Sequence, residues 1–432
     1  MAVVLSAGAQ STSETNLSYS GTNSPYSQYG LGELTDQSSG FNRGMNGLGL
    51  GFREHNQVNQ LNPASYSAMD SLTFLFDAGV SGQLTNFKEG NTKVNARNAD
   101  FDYVVAGFRA FKHVGVSFGL IPFSNVGYKY STGNELNSIE SSSLVTYTNT
   151  YRGTGGTHQV YLGAGWEIIP NLSLGFNVSY LWGKYERFIT NEYSDSYIKT
   201  LTKYYSADIS SYKLDFGAQY TLPLTKVDKL TLGATFSPGH NLKSDPECKI
   251  ISVNSAEGVA DTTLFSIKDA LELPMMIGVG FAFDHNNQLK VGADYQLQRW
   301  SKTSFPVYTV TNDVASYVLD DNYFKDRHKF TIGGQYCKDE LGRTFFSRLR
   351  YRFGASYASS YFKINGHDGP REISVSAGVG IPIINAINNR SVLNISAQWV
   401  NQKATSKIEA NTFRINIGLT FNERWFQKWK VE

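Results

Sequence analysis

The stretch Phe413-Arg414-Ile415-Asn416-Ile417-Gly418-Leu419-Thr420-Phe421-Asn422 decides the fold. Successive side chains of an extended chain point to opposite sides, so Phe413, Ile415, Ile417, Leu419 and Phe421 share an apolar face and the residues between them a polar one. The same alternation recurs upstream. Leu172, Leu174, Phe176, Val178, Tyr180 and Trp182 oppose Ser173, Gly175, Asn177 and Ser179. Tyr212, Leu214, Phe216, Ala218 and Tyr220 oppose Lys213, Asp215, Gly217 and Gln219. Leu289, Val291, Ala293, Tyr295 and Leu297 oppose Lys290, Gly292, Asp294, Gln296 and Gln298; Leu349, Tyr351, Phe353 and Ala355 oppose Arg348, Arg350, Arg352 and Gly354. A water-soluble sandwich shows this in a few strands. Here it runs through the whole chain and leaves no apolar core element over. The economical reading is an all-β fold, a transmembrane antiparallel β-barrel with lipid outside and water or a plug inside.

Composition narrows the choice. No apolar run of the 432 residues approaches the about 20 that a membrane helix needs. Tyr (26), Phe (27) and Gly (40) are plentiful while Cys (2) and Pro (11) are sparse, which suits aromatic-banded strands rather than a disulfide scaffold. A net charge of +2 with both signs interspersed gives no case for nucleic acid as a partner. Trp182, Trp300, Trp399 and Trp425 fall at strand ends, where interfacial girdles sit.

The first residues suggest export. Met1 to Leu5 is short and apolar, and Ala7 and Ala9 fit a small-x-small cleavage site; residues 1–9 read as the remnant of a signal peptide lacking its basic region, with Gln10 first after cleavage. Residues 10–70 hold turn-rich runs such as Ser24-Pro25-Tyr26 and Gly47-Leu48-Gly49-Leu50-Gly51, too apolar and aromatic for a free tail and without strand periodicity. An irregular segment ahead of a barrel satisfies its backbone only when shielded by protein or wetted, so it is expected as a hatch, or plug, in the lumen. The glycine run lacks the strand, helix and distant acid of a dinucleotide site.

Residues 71–422 divide into about fourteen strands by their alternation and turn signals, near 71–86, 100–111, 114–131, 156–169, 172–190, 204–221, 229–242, 271–283, 288–303, 325–338, 344–364, 371–383, 391–403 and 410–422. Connections alternate between short (112–113, 170–171, 284–287) and long (132–155, 191–203, 243–270, 304–324). Outer-membrane barrels keep short turns in the periplasm. Both termini are therefore expected there, with residues 423–432 as a periplasmic tail.

Chemistry-bearing motifs are few. The seven His are scattered, no paired-His metal motif or serine elbow occurs, and neither catalytic residues, metal nor cofactor are expected; His367-Asp368-Gly369 reads as a polar hairpin tip. Cys248 and Cys337 fall at opposite ends of the barrel, beyond the about 7 Å a disulfide spans. Lys213, Lys290, Arg348, Arg350, Arg352 and Arg414 should point inward, because a cation facing mid-bilayer lipid costs about 2–4 kcal/mol. Asp215, Asp294, Glu167 and Glu372 are their candidate partners. Two readings stay open: an anion-attracting path, or a salt-bridged lumen holding the plug.

Four blocks carry a family likeness. They are Asn62-Pro63-Ala64 before the first strand; Val114 to Phe123, a glycine-patterned strand running into Pro122-Phe123; Leu230 to Phe236; and Leu273-Pro274 through Ile277-Gly278-Val279-Gly280 and Ala293-Asp294-Tyr295 to Trp300-Ser301. In order and spacing the chain resembles the FadL-type (FadL/OmpP1/TodX) outer-membrane transport proteins, in a form common among Bacteroidota. The resemblance implies a fourteen-stranded barrel gated by an N-terminal hatch closed by Asn62, Pro63 and Ala64. It also implies passive uptake of hydrophobic or amphipathic, fatty-acid-like molecules, with a lateral exit where the third strand kinks. Pro122 lies in the matching place, with Gly119, Leu120 and Phe123 as lining candidates. Proline cannot donate to the ladder, so Pro122 requires a bulge or a gap. The competing function is a non-transporting barrel, a subunit of a larger outer-membrane export or barrel-assembly complex. The partners that follow are the lipid bilayer, an apolar small molecule or detergent in the lumen, and other outer-membrane proteins or lipoproteins.

Overall fold

The computed structural model describes residues 23–136, 145–195, 197–254, 256–384, 390–405 and 408–424. The expected signal-peptide remnant, residues 10–22 of the expected plug, the N-terminus, Trp425 and the rest of the tail beyond Arg424 lie outside the described residues.

Fourteen antiparallel strands form a closed wall. They are β1 (Thr73–Glu89), β2 (Thr92–Phe111), β3 (Val114–Leu136), β4 (Val145–Ile169), β5 (Leu172–Tyr193), β6 (Thr200–Pro223) and β7 (Asp228–Ser237). The wall continues through β8 (Met276–His285), β9 (Leu289–Gln298), β10 (Arg327–Tyr336), β11 (Arg350–Ala358), β12 (Arg371–Ile384), β13 (Arg390–Lys403) and β14 (Glu409–Arg424). Each pairs with its neighbours in chain order, and β1 closes on β14 from Thr73↔Arg424 to Lys88↔Glu409. The apolar faces are on the outside: Phe176, Phe216, Phe353, Phe413 and Ile417 are exposed while Ser173, Gln219, Arg352 and Asn416 are buried. Exposed aliphatic and aromatic stripes around a closed wall are what a bilayer covers, and the protein is an outer-membrane barrel. Among the described residues no helix is long and apolar enough to cross a membrane.

At the short-turn end, tight connections place Asn171 (φ 71°) and Asn286 and Asn287 (both φ 55°) in the left-handed region that asparagine tolerates. The long-loop end departs from expectation. β1 and β2 are joined at residues 90–91, and β3 and β4 extend to Leu136 and from Val145, so much of the expected connection at 132–155 is strand. These extensions alternate Thr, Asn and Tyr without a lipid stripe. The periodic signal fades where strands leave hydrocarbon, but backbone pairing does not. The connection 243–270 holds a hairpin, Glu247–Asn254 and Val259–Ser266, that continues the sheet from β6. Phe305–Thr311 and Val314–Asp320 form another hairpin. Four expected strands are cut short. One stops after Ser237 and one at Pro274, where His240–Leu242 pairs instead with Leu271–Leu273. One stops at Gln298, before the 3-10 turn Trp300–Lys302, and one is shortened on both sides of β11, where Lys363–Ile364 turns back on His367–Asp368.

Three side chains move from their expected places. Arg348 sits in a one-turn helix, Phe345–Arg348, in the connection before β11, donating to Gly342 O (3.2 Å), rather than in the lumen wall. Leu349, just before β11, is buried and not part of the lipid stripe. Trp300 is wholly buried in an aromatic cluster and is not in a girdle.

Candidate functional site

Residues 23–70 touch inward-facing groups right around the wall. Asn62 caps the 3-10 turn Pro63–Ala68 by accepting from Ala64 N (3.1 Å), while its amide donates to Leu50 O (2.9 Å) and to Ala218 O in β6 (3.2 Å). Asn46 donates to Ser356 (2.7 Å) and Ser374 (2.6 Å) and accepts from Gln398 (2.7 Å), tying β11, β12 and β13 to one side chain. Arg43 pairs with Asp102 of β2 and donates to Asn416 of β14, both at 3.1 Å. Phe41, Met45, Leu48 and Phe52 pack at zero or near-zero exposure between these contacts.

The wall gives way to this segment at glycines. A Cβ on Gly175 or Gly165 would strike the Pro63 backbone, one on Gly217 the Asn62 side chain, one on Gly115 the Tyr66 carbonyl, one on Gly233 the Leu50 carbonyl and one on Gly354 the Met45 backbone. The segment lies directly on the strands, with no side-chain layer between. Glycine on the polar face of a strand signals such an approach, and it is the one mark in the sequence that could have located these contacts.

The expected inward charges divide. Lys290 pairs with Glu54 of the inner segment at 2.6 Å. Asp294 holds that segment too, accepting from Gly49 N (2.8 Å) and Leu50 N (2.9 Å) rather than from a cation. Arg350 reaches Glu340 (2.8 Å) and Asn56 (3.3 Å). Arg352 donates to Gln335 (2.7 Å) and Asn394 (2.5 Å) and lies over the Phe41 ring. Lys213 pairs with Asp215 on its own strand, and Arg414 with Gln83 at 2.8 Å. Glu372 accepts from Gln402 (3.2 Å). Glu167 is not a lumen partner: it pairs with His113 (2.9 Å) at the short-turn end, because its strand passes the wall there. At the same end His55 sits against Asp70 (2.6 Å) and Glu340 (3.9 Å). The Asp70 hydrogen bond, then that to Glu340, pushes its imidazole up to about 9.

Pro122 marks an asymmetry in the wall. On the β4 side the ladder runs on to Leu136↔Val145, with a register shift between Pro122 and Ser124. That shift is a bulge that turns Phe123 inward, where it is 5% exposed. On the β2 side, pairing ends at Val104↔Leu120, leaving a gap between the second and third strands above Gly119 and Leu120. The inner segment closes the β3 side of this gap. Glu33 and Leu34 add as a two-residue strand opposite Asn125 and Ser124. Thr35 donates through its N–H to Phe123 O (3.1 Å) and through its hydroxyl to Pro122 O (2.5 Å), where Gln37 also donates (2.8 Å). Ser27 bonds Gly127 (3.1 Å). Behind the gap a cavity of about 200 Å³ is bordered by Asp36, Asp100, Lys213, Lys329, Glu372 and Arg414 among others. Its lining is mixed, these charges standing beside Leu34, Phe87, Phe101, Phe123 and Met276, so an apolar solute entering it would have to desolvate charged groups.

The long-loop end is stoppered by rings. Trp300 packs on Tyr361 (4.8 Å between centroids) and Phe324 (5.2 Å), and Tyr29 of the inner segment stacks on Phe362 (4.9 Å). Arg187 lies over Tyr185 and donates to Gly30 O within the same cluster. Cys248 and Cys337 are free.

Comparison with known proteins places this architecture. The family model described as BamG matches residues 3–432. The Ralstonia pickettii toluene transporter TbuX is similar in fold, with a TM-score of 0.59 at 15% identity over 89% of this chain and 98% of that one. The Pseudomonas putida toluene transporter TodX gives 0.61 at 14% identity, over 91% of this chain and 100% of that one. A Pseudomonas aeruginosa FadL homologue gives 0.61 at 11%, over 91% and 99%. These three share the FadL-type barrel fold with this chain. No curated protein sequence matches it.

Proposed function

The chain belongs to the BamG family, and we propose that it works as a sealed, non-transporting barrel, a subunit of a larger outer-membrane export or barrel-assembly complex, its short turns in the periplasm. The observation that carries this reading is the filled lumen. The inner segment is fastened to the wall by Asn46, Asn62, Glu54 and Arg43 and lies on wall glycines without intervening side chains. Desolvating the charges around the remaining cavity to admit an apolar solute is unfavourable. A barrel whose lumen is occupied by its own inner segment suits a body that offers its rims and lipid face to partners.

A second reading, hatch-gated uptake of hydrophobic or amphipathic small molecules with lateral exit near Pro122, draws on one observation, the gap above Leu120. It requires Glu33 and Leu34 to leave β3. Gentle-detergent extraction followed by mass spectrometry, with a vesicle uptake assay using toluene and oleate, separates the two. Stoichiometric protein partners and no uptake support the sealed subunit. A lone barrel whose uptake is abolished by a disulfide between Leu34→Cys and Ser124→Cys would overturn it.

A further inference from the structure

The two sides of the gap are treated differently. The bonding to wall backbone that closes it, from Ser27 to Gln37, is made to β3. The β2 side receives side-chain contacts only, Asn23 donating to Asn98 (2.6 Å) and Arg43 pairing with Asp102 (3.1 Å). Opposite, Thr92 to Tyr103 of β2 pair only with β1, from Glu89↔Thr92 to Gly79↔Tyr103. Among the described residues no other segment makes a backbone hydrogen bond to that run. Part of this free edge lies in the apolar band: Phe101 is opposite Val80, which is opposite Ile417, and all three are exposed on the outside. Bare N–H and C=O groups in hydrocarbon are strongly unfavourable, and a free strand edge is a template for another strand. Acyl chains carry no donors or acceptors. A peptide carries both, as Glu33–Leu34 does for β3.

We propose that the free edge of β2, from Lys93 to Asp102, accepts an extended segment of a partner outer-membrane protein as an added antiparallel strand. This rests on the sealed-subunit reading and names the partner's mode of attachment. The lane specifies the segment's chemistry. Outside, Arg97, Ala99 and Phe101 are exposed, and Val80, Gly82, Ala99 and Ile415 border a shallow apolar groove, so side chains on that face should be apolar and compact. Inside, Asn98 and Asp100 border the cavity, so alternate residues should be polar, with a basic one opposite Asp100.

The test places a photo-crosslinking amino acid at Arg97, Ala99 or Phe101 of the full chain in its native membrane, with Ile332 of β10, exposed on another strand, as control. Adducts at the three edge sites should join one second protein, at positions that step back by two residues as the β2 site moves forward by two, and Ile332 should give none. Adducts to this chain's own residues 1–22, to lipid alone, or without that stepping would overturn the docking site. If detergent extraction finds stoichiometric partners but the edge gives no adduct, the docking site is wrong and the sealed subunit stands. If no partner is found at all, the sealed subunit itself is wrong.

Discussion

At the short-turn end the inner segment meets the wall backbone to backbone; at the long-loop end it meets it ring to ring. Pro63, Tyr66, Leu50 and Met45 rest on strand glycines and are held by polar contacts at Asn62, Asp294 and Glu54. Tyr26 and Leu31 instead join Phe123, Trp300, Phe324, Tyr361 and Phe362 in one buried cluster. The difference teaches what each end supplies. Close backbone contact has almost no tolerance and aligns the segment in the lumen. Aromatic burial is non-directional, so it tolerates rearrangement while still removing apolar surface from water.

The largest effect should come from the ring end. Trp300→Ala removes a wholly buried side chain from the cluster and should cost about 3–5 kcal/mol locally. Limited proteolysis should then cut the 305–320 hairpin quickly, while the barrel keeps its heat-dependent shift on SDS gels. Unchanged cleavage would show that the cap does not depend on aromatic burial.

The glycine end comes next. Gly175→Val forces a side chain into the Pro63 backbone and should cost about 1–3 kcal/mol of folding stability in micelles by denaturant titration. Gly82→Val, outward-facing with open space around its Cβ position, is the control and should be near neutral. Equal effects would break the comparison, because they would assign the cost to strand propensity and not to contact. Gly175→Val and Gly217→Ala both push on Asn62–Pro63 and should be non-additive.

Asp294→Ala orphans the N–H groups of Gly49 and Leu50 and should cost about 1–3 kcal/mol. Amide exchange at those two residues should rise more than exchange elsewhere in the segment. Uniform exchange would mean the carboxylate does not fasten the loop.

The smallest effect is pH-dependent. His55 is raised in the fold from its ordinary 6.5 to about 9 by Asp70 and Glu340, so its protonated form stabilises the mouth. That contribution is complete below about 6.5 and disappears as pH rises through about 9. His55→Gln should therefore be less stable than the parent at pH 6 and indistinguishable from it above pH 9. A difference that grew with pH would reverse the sign and exclude this pairing.

The wall was legible because its physics is local. A strand between lipid and lumen must alternate, so Phe413 to Phe421, Leu172 to Tyr180 and Tyr212 to Tyr220 announce both their conformation and their outward face, and each of the fourteen wall strands overlaps a stretch that the period marks. Local signals end where hydrocarbon ends. The extensions of β2, β3 and β4, the short helix that carries Arg348 off the wall and the burial of Trp300 follow from pairing and packing partners that no window of neighbouring residues contains.

By itself, then, the sequence determined the barrel, its facing and the presence of a non-strand segment ahead of it, because alternation and solvent preference act residue by residue. It also marked Pro122 as a break in the ladder, since a missing N–H is a property of one residue. Only the tertiary structure decided which ladder breaks. The bulge keeps β3 on β4 and frees it from β2, and residues 27–37, distant in the chain, then close the β3 side alone. Likewise only the assembled barrel turned Asp294 and Lys290 from lumen charges into fastenings for Gly49, Leu50 and Glu54, because a hydrogen bond needs both partners in place and the chain brings them together only on closing.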